Sequence, residues 1–410
     1  MTSTMPDIKA IRSAFPALSG DTILLENAGG SQVPAGVADA IRTYMLNDYV
    51  QLGAGYPASD RATATVAAAH ALVETMLNGH ESGTAILGSS CTSLTYMLSD
   101  CYARVIKPGD EIILCVQGHE ANIGPWLRLE RQGAVIRWWD VDPNTGSLDL
   151  EDLSELLNDR TRIVAFPHVS NLLGEIVDAR AVADLAHAHG AKVVVDGVAL
   201  APHRPIDVEA LAADWYVYST YKVYGPHMGA LWGRTESIRE LEGPNHFFIP
   251  RDEAPYVFEL GGASHEGCAG ILALADYLGF LTGEDGPCTT ATAHSAFETM
   301  KNLEAPVQTR LMERLRSHPA VRIIGTESDD VEERVATVSF LHERHQPSRI
   351  VAEAHAAGVG IRHGNMYAYR LCEAMKIPVE EGVVRISAVH YNTVEEIDRL
   401  MDALDPMLSA

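Results

Sequence analysis

Between about residue 84 and residue 233, short apolar runs alternate with amphipathic helical stretches, and this alternation restricts the possible folds more than any other feature of the chain. The runs are "TAILG", "EIILC", "VIRWW", "RIVAFPHVS", "KVVVDG", "DWYVYST" and "ALWGR". Strands spaced by helices build a parallel or mostly parallel sheet, covered on both faces by the crossover helices. Ligands of such sheets bind beyond the carboxyl ends of the strands. The expectation is an α/β fold with one crevice near Ser89, Ser90, Asn171, Asp196 and Lys222, each at the end of an apolar run.

After about residue 290 the texture changes. A polar helical stretch runs to about His318, followed by "VRIIG", "VATVSFL", "RIVAEAHAAG", "VGIRHG", "VVRISAV" and a last helix "VEEIDRLMDAL". This reads as a compact α+β domain. A length of 410 residues exceeds the usual reach of one core, so a large domain with a smaller one, or two comparable domains, is expected.

The net charge of -24, from 31 basic and 55 acidic residues, argues against a nucleic-acid or anionic-membrane partner, since both need basic surface. A small-molecule ligand remains, and its phosphate could still bind a local nest of backbone N–H groups. The start, "MTSTMPDIKAIRSAF", lacks the apolar core of a signal peptide. No apolar run reaches spanning length. The six cysteines, Cys91, Cys101, Cys115, Cys268, Cys288 and Cys372, are scattered without C-x-x-C pairs. Reduced thiols in a cytoplasmic enzyme are expected, with no disulfide framework and no metal site.

Lys222 sits where a buried strand gives way to a glycine-bearing loop, in "DWYVYSTYKVYGPHMGALWG". An amine held in an apolar pocket loses proton affinity, the condition for a nucleophile that forms a Schiff base. Asp196, in "VVVDGVALAPH", could ligate a metal, cap a helix or pair with a protonated heterocycle. Beside Lys222 the third role becomes specific, because a pyridoxal cofactor needs a lysine and a carboxylate on its pyridine nitrogen. "LGSSCTSLTYML" leaves a strand and opens a helix, so Ser89 and Ser90 either face a phosphate or simply cap the helix. Ser219 and Tyr221 are further donors or packed strand residues. His119, in "QGHEANIGPW", is structural or stacks on a planar ring. Arg385, inside the apolar "VVRISAV", needs a partner: a substrate carboxylate, or an internal salt bridge.

These residues, in this order, resemble the class V aminotransferases, a branch of the fold type I pyridoxal-phosphate enzymes, and most closely the cysteine desulfurase-like group. "LLENAGGSQVP", "GHEANIGPW", "HVSNLLGEI", "VVVDGVALAPH", "YVYSTYKVYGPHMGALWG", "FELGGASHEGCAGI" and "VVRISAVHYNTVEEIDRLM" each match a motif of that group. The resemblance implies a large domain over 21–285 with a mostly parallel seven-stranded sheet, and a smaller α+β domain from 1–20 and 286–410. It implies pyridoxal 5'-phosphate bound by Ser89, Ser90, Cys91, His119, Asn171, Asp196, Ser219, Tyr221 and Lys222. Lys222 would be the Schiff-base residue, with His119 and Asp196 also in the catalytic set. His265 would reach the neighbouring subunit's phosphate, which makes the active unit a homodimer. Asn27, Ala28, Arg362, Tyr367 and Arg385 would surround an amino-acid substrate, with Arg385 on its carboxylate.

Three departures limit what transfers. Tyr367 stands where desulfurases carry the cysteine that takes sulfur, Ala199 where they place a glutamine, and Tyr221 replaces the histidine before the lysine. With no persulfide-accepting cysteine at that place, the expected reaction is a lyase step, a β-elimination with carbon–sulfur cleavage as one form. The alternatives are transamination or epimerisation, a desulfurase using Cys372 or a small thiol as acceptor, and a non-catalytic pyridoxal-binding protein.

Overall fold

The computed structural model describes residues 6–409; residues 1–5 and residue 410, which belong to the two segments assigned above to the smaller domain, lie outside the described residues. Seven strands form the main sheet: β1 (Gly83–Gly88), β2 (Glu111–Cys115), β3 (Val135–Trp139), β4 (Thr161–Pro167), β5 (Lys192–Asp196), β6 (Trp215–Ser219) and β7 (Gly229–Arg234). Their spatial order is β1-β7-β6-β5-β4-β2-β3. Only β7 runs against its neighbours; the other pairings are parallel. The central strands read as unbroken apolar runs because helices cover both faces, and β2 and β6 are buried at every position.

Antiparallel β7 passes close to the helix that follows β1, and its first residue has to be small. A Cβ on Gly229 would lie 2.4 Å from the backbone nitrogen of Cys91. That proximity sets the start of the helix Cys91–Tyr102 beside the end of β6.

A second, four-stranded antiparallel sheet holds β8 (Val321–Ile324), β9 (Thr337–His342), β10 (Arg362–Gly364) and β11 (Val383–Ser387), in the order β10-β11-β9-β8. The helices Thr290–Arg316, Pro347–Ala356 and Val394–Leu408 supply apolar side chains to its core. The N-terminal helix Ile8–Ser13 bridges the two sheets. Ile11 and Phe15 bury in the core of the main sheet, while Arg12 bonds to the Tyr391 carbonyl and pairs with Glu396 of the last helix. Among the described residues, no helix is long and apolar enough to cross a membrane.

Candidate active site

At the carboxyl ends of β4, β5 and β6, beside the start of the helix Cys91–Tyr102, lies a narrow slot of about 50 Å³ walled by Thr92, His119, Asp196, Ser219, Tyr221 and Lys222. It adjoins an outer cavity of about 310 Å³ bordered by Ala28, Arg362, Tyr367, Glu380 and Arg385. His119, Asn171, Tyr221 and Lys222 line both spaces.

Lys222 reaches the slot because β6 ends in a tight turn, Thr220–Lys222, in which the Thr220 hydroxyl bonds back to the carbonyls of Pro226 and Met228. Burial, then repulsion from Arg385, lowers its ammonium to about 8, against the opposing pull of Asp196 and Cys91. Asp196 ends β5, takes one hydrogen bond from the Val198 N–H at 3.0 Å, and has burial push its carboxyl up to about 6, against that bond and Lys222. Burial, followed by Lys222 and Arg385, holds the His119 imidazolium down at about 4. His119 is therefore a neutral ring at ordinary pH, with Nδ1 accepting from the Ala121 N–H at 3.0 Å.

Arg385 lies at the middle of β11 and is directly opposite Arg362 of β10. Cross-strand neighbours share a face, and two like charges there repel. Arg362 is relieved by Glu26, 3.2 Å away. Arg385, 3 % exposed, has one hydrogen bond, from Nη1 to the Asn171 carbonyl at 3.0 Å, and its Nε has no partner. Among the described residues no carboxylate forms a salt bridge with it, so the internal salt bridge left open by the sequence is absent. Burial, then Arg362 against Glu26, lowers its guanidinium to about 10. A buried cation in this state is costly until an anion arrives.

Asn171 donates through Nδ2 to the Met366 carbonyl at 2.8 Å, leaving Oδ1 buried and unpartnered. Tyr221 stacks on His227, with ring centroids 4.4 Å apart and planes within 4°. Ser90 caps the helix Cys91–Tyr102 by accepting from the Ser93 N–H, and Ser93 answers at the Ser90 backbone. The first amides of that helix belong to Cys91 and Thr92, which both face the slot. Ser89 instead borders a separate cavity of about 510 Å³ shared with His227 and Leu260. His265, which begins the helix His265–Leu272, lies in a depression with Tyr49 and Gln51.

Asn27 does not border the cavity, contrary to expectation. Its amide donates to the carbonyls of Leu24 and Ser387 and to Asn392, and accepts from the Tyr391 hydroxyl. These bonds consume the side chain in holding the loop, and Ala28 is the residue presented to the cavity. Cys372 is also corrected as a sulfur acceptor. It is fully buried among Leu172, Met366 and Met375, and burial raises its thiol to about 11, which leaves negligible thiolate at neutral pH. Cys372→Ala is expected to leave turnover unchanged and to lower stability by about 1 kcal/mol; paired activity and thermal-unfolding measurements check both.

Sequence reasoning passed over Thr92, Met366 and Glu380. Thr92 follows from placing the helix start one residue after Ser90. Met366 and Glu380 depend on how the 362–380 segment folds back, and no local pattern marks that.

The model of the family described as aminotransferase class-V matches residues 23–400. The chain belongs to the class V aminotransferases. It is 39% identical over the full length of both chains to the aminotransferase-like protein FGM3 of Gibberella zeae. It is 30% identical to the cysteine desulfurase-like protein ustD of Aspergillus flavus, covering 98% of this chain and 91% of that one. The crystal structure of the cysteine desulfurase CsdA from Escherichia coli superposes with a TM-score of 0.83 at 26% identity, covering 99% of each chain. Class V aminotransferases are pyridoxal-phosphate enzymes, and this chain is one of them. The class V residues here fit the cofactor on independent grounds: among the described residues, a buried carboxylate without an ion-pair partner, a lysine with lowered proton affinity, an orphaned Asn171 oxygen and a helix start line the same slot.

Proposed function

We propose that this class V enzyme is a lyase acting at Cα of an amino acid, with a β-substituent as the group that leaves. The observation that carries the reading is the absence of an available thiol at the mouth of the site: Tyr367 occupies the mouth and Cys372 is sealed in the core. Cys91, in the inner slot, has its thiol pushed well up by burial, so among the described residues a sulfur-accepting step lacks a ready thiolate.

Bound pyridoxal phosphate supplies an electron sink that acidifies the substrate's Cα–H. Lys222 would carry the cofactor and, once displaced, would be the base whose Nζ takes the Cα proton, since burial keeps its proton affinity near working pH. Asp196 would pair with the cofactor's pyridine nitrogen and hold it protonated, and that added cation would return the Asp196 carboxyl to its ionised form. With the cofactor bound, the neutral His119 ring would pack against its plane, Asn171 would meet its ring hydroxyl, and the amides of Cys91 and Thr92 with Ser219 and Tyr221 would hold its phosphate, while Ser90 fixes the helix start and Ser89, which borders the separate cavity, falls outside this set. Arg385 clamps the substrate carboxylate in two parallel hydrogen bonds, with Arg362 adding positive potential beside it. The leaving group departs from Cβ with its bonding electrons, and water releases ammonia and a keto acid.

The test is a titration of the purified holoenzyme with cysteine, cystine, cysteine S-conjugates and alanine, following absorbance, ammonia, keto acid and sulfide. Ammonia and keto acid released together with the cofactor retained support the lyase. Stoichiometric conversion to pyridoxamine phosphate overturns it in favour of transamination.

We also infer a cytoplasmic homodimer in which residues 21–285 hold the cofactor and 1–20 with 286–410 form the smaller part. The exposed Leu260 and Tyr49 near His265 support this assembly, and the six cysteines are all free. Light scattering is expected to give twice the chain mass; a monomer that retains full activity rejects the shared site.

A further inference from the structure

The turn that carries Lys222 ends in an unfavourable backbone. Tyr224 has φ +59°, the left-handed region that residues with a Cβ rarely adopt. It is held there from both ends. Its N–H donates to Ser31 Oγ at 2.9 Å, and Ser31 in turn donates its own N–H to the Tyr221 carbonyl at 3.2 Å. At the far end the Tyr224 hydroxyl donates to the Pro202 carbonyl at 2.7 Å. Its proton is thereby used, so it must accept from His390 Nδ1, 3.0 Å away. The other imidazole nitrogen, Nε2, then accepts from the Tyr277 hydroxyl, which gives a single directed chain: Tyr277 to His390 to Tyr224 to Pro202.

His390 is completely buried, and burial, then His203, lowers its imidazolium to about 3, so the neutral ring this chain requires persists through the working range. The titratable groups nearby, His203, Arg204 and Glu304, bond among themselves. The imidazole packs among the rings of Phe15, Tyr277 and Tyr391, and its two nitrogens give that packing a direction. His390 also follows β11, the strand of Arg385, by three residues, and its neighbour Tyr391 accepts from the Gln32 N–H at 3.0 Å. The Lys222 turn, the 27–32 loop and the extension of the Arg385 strand are therefore tied through one hydrogen-bonded cluster.

We propose that His390 is a positioning residue for Lys222: acting through Tyr224, it fixes the lysine turn relative to the strand that presents Arg385. This rests on Lys222 being the cofactor's lysine. His390→Asn places an amide donor where Nδ1 stands and preserves the bond to Tyr224, whereas His390→Gln reaches toward Tyr277 and leaves Tyr224 without its donor. In the holoenzyme, His390→Gln is expected to lower kcat about tenfold with little change in KM, and to move the pH at which the bound cofactor's absorbance changes. Amide exchange at residues 222–225 of the cofactor-free protein should accelerate in the same variant. His390→Asn should recover most of each loss, and Tyr224→Phe, which removes the acceptor without changing packing volume much, should reproduce the Gln phenotype should that variant fold poorly. Equal behaviour of Asn and Gln, or a lower Tm with exchange, kcat and spectrum unmoved, reduces His390 to packing and overturns the proposal. Borohydride reduction of the parent protein separates the two readings: an adduct on a lysine other than Lys222 rejects the cofactor assignment, while the exchange data still judge the turn.

Discussion

Lys222→Ala is expected to cut turnover by about 10³-fold or more and to eliminate the borohydride-fixed cofactor adduct, while the fold persists. Lys222 borders the slot rather than filling a core position, and its ammonium is destabilised there by burial and by Arg385. Removing it relieves a desolvated charge, so thermal stability should hold or rise slightly. The same physics sets a pH dependence. Only the neutral amine attacks an aldehyde, so cofactor-free protein should take up pyridoxal phosphate slowly below about pH 8, with the rate rising through about 8 and levelling above it. Stopped-flow absorbance measures that rate; a profile centred at the ordinary lysine value would contradict the burial argument, and a surviving adduct in Lys222→Ala would move the anchor elsewhere.

Arg385→Ala should weaken amino-acid binding by about 10- to 100-fold, the range of one charge-assisted, bidentate contact, with the cofactor's own spectrum preserved. The guanidinium has a single protein hydrogen bond and an unpartnered Nε, so its unused donors await an anion. Arg362 is a poor substitute, because Glu26 already engages it and it is 56% exposed at its side chain. Arg385→Lys should restore the charge but only part of the affinity, since a point charge cannot copy the two-pronged fork. Unchanged affinity in Arg385→Ala would place the substrate carboxylate elsewhere, with Arg362 the first place to look.

Much of the site was legible because its chemistry is concentrated at strand ends. Asp196 and Lys222 follow buried runs directly, and in a parallel sheet every such end faces the same crevice. Arg385 was legible for the opposite reason, as a cation within an apolar strand that had to have a partner. Asn27 was misread because a motif match does not say which way an amide points. Its neighbours Tyr391 and Asn392 lie at the far end of the chain, and only their arrival consumes its hydrogen bonds. Cys372 posed the same difficulty, since distance along the chain from Tyr367 says nothing of depth.

The alternation of apolar runs with helices and the placement of lysine and aspartate at strand ends are local properties; from the sequence alone they gave an α/β fold and, together with the family resemblance, pointed to a pyridoxal site. Tertiary structure decided what those side chains experience. The opposition of Arg362 to Arg385 arises from strand register, the sealing of Cys372 from the packing of a short helix, and the Tyr224–His390 bond from residues 166 positions apart. Proton affinity and hydrogen-bond vacancy follow from such long-range neighbours, because burial and charge act through space rather than along the chain.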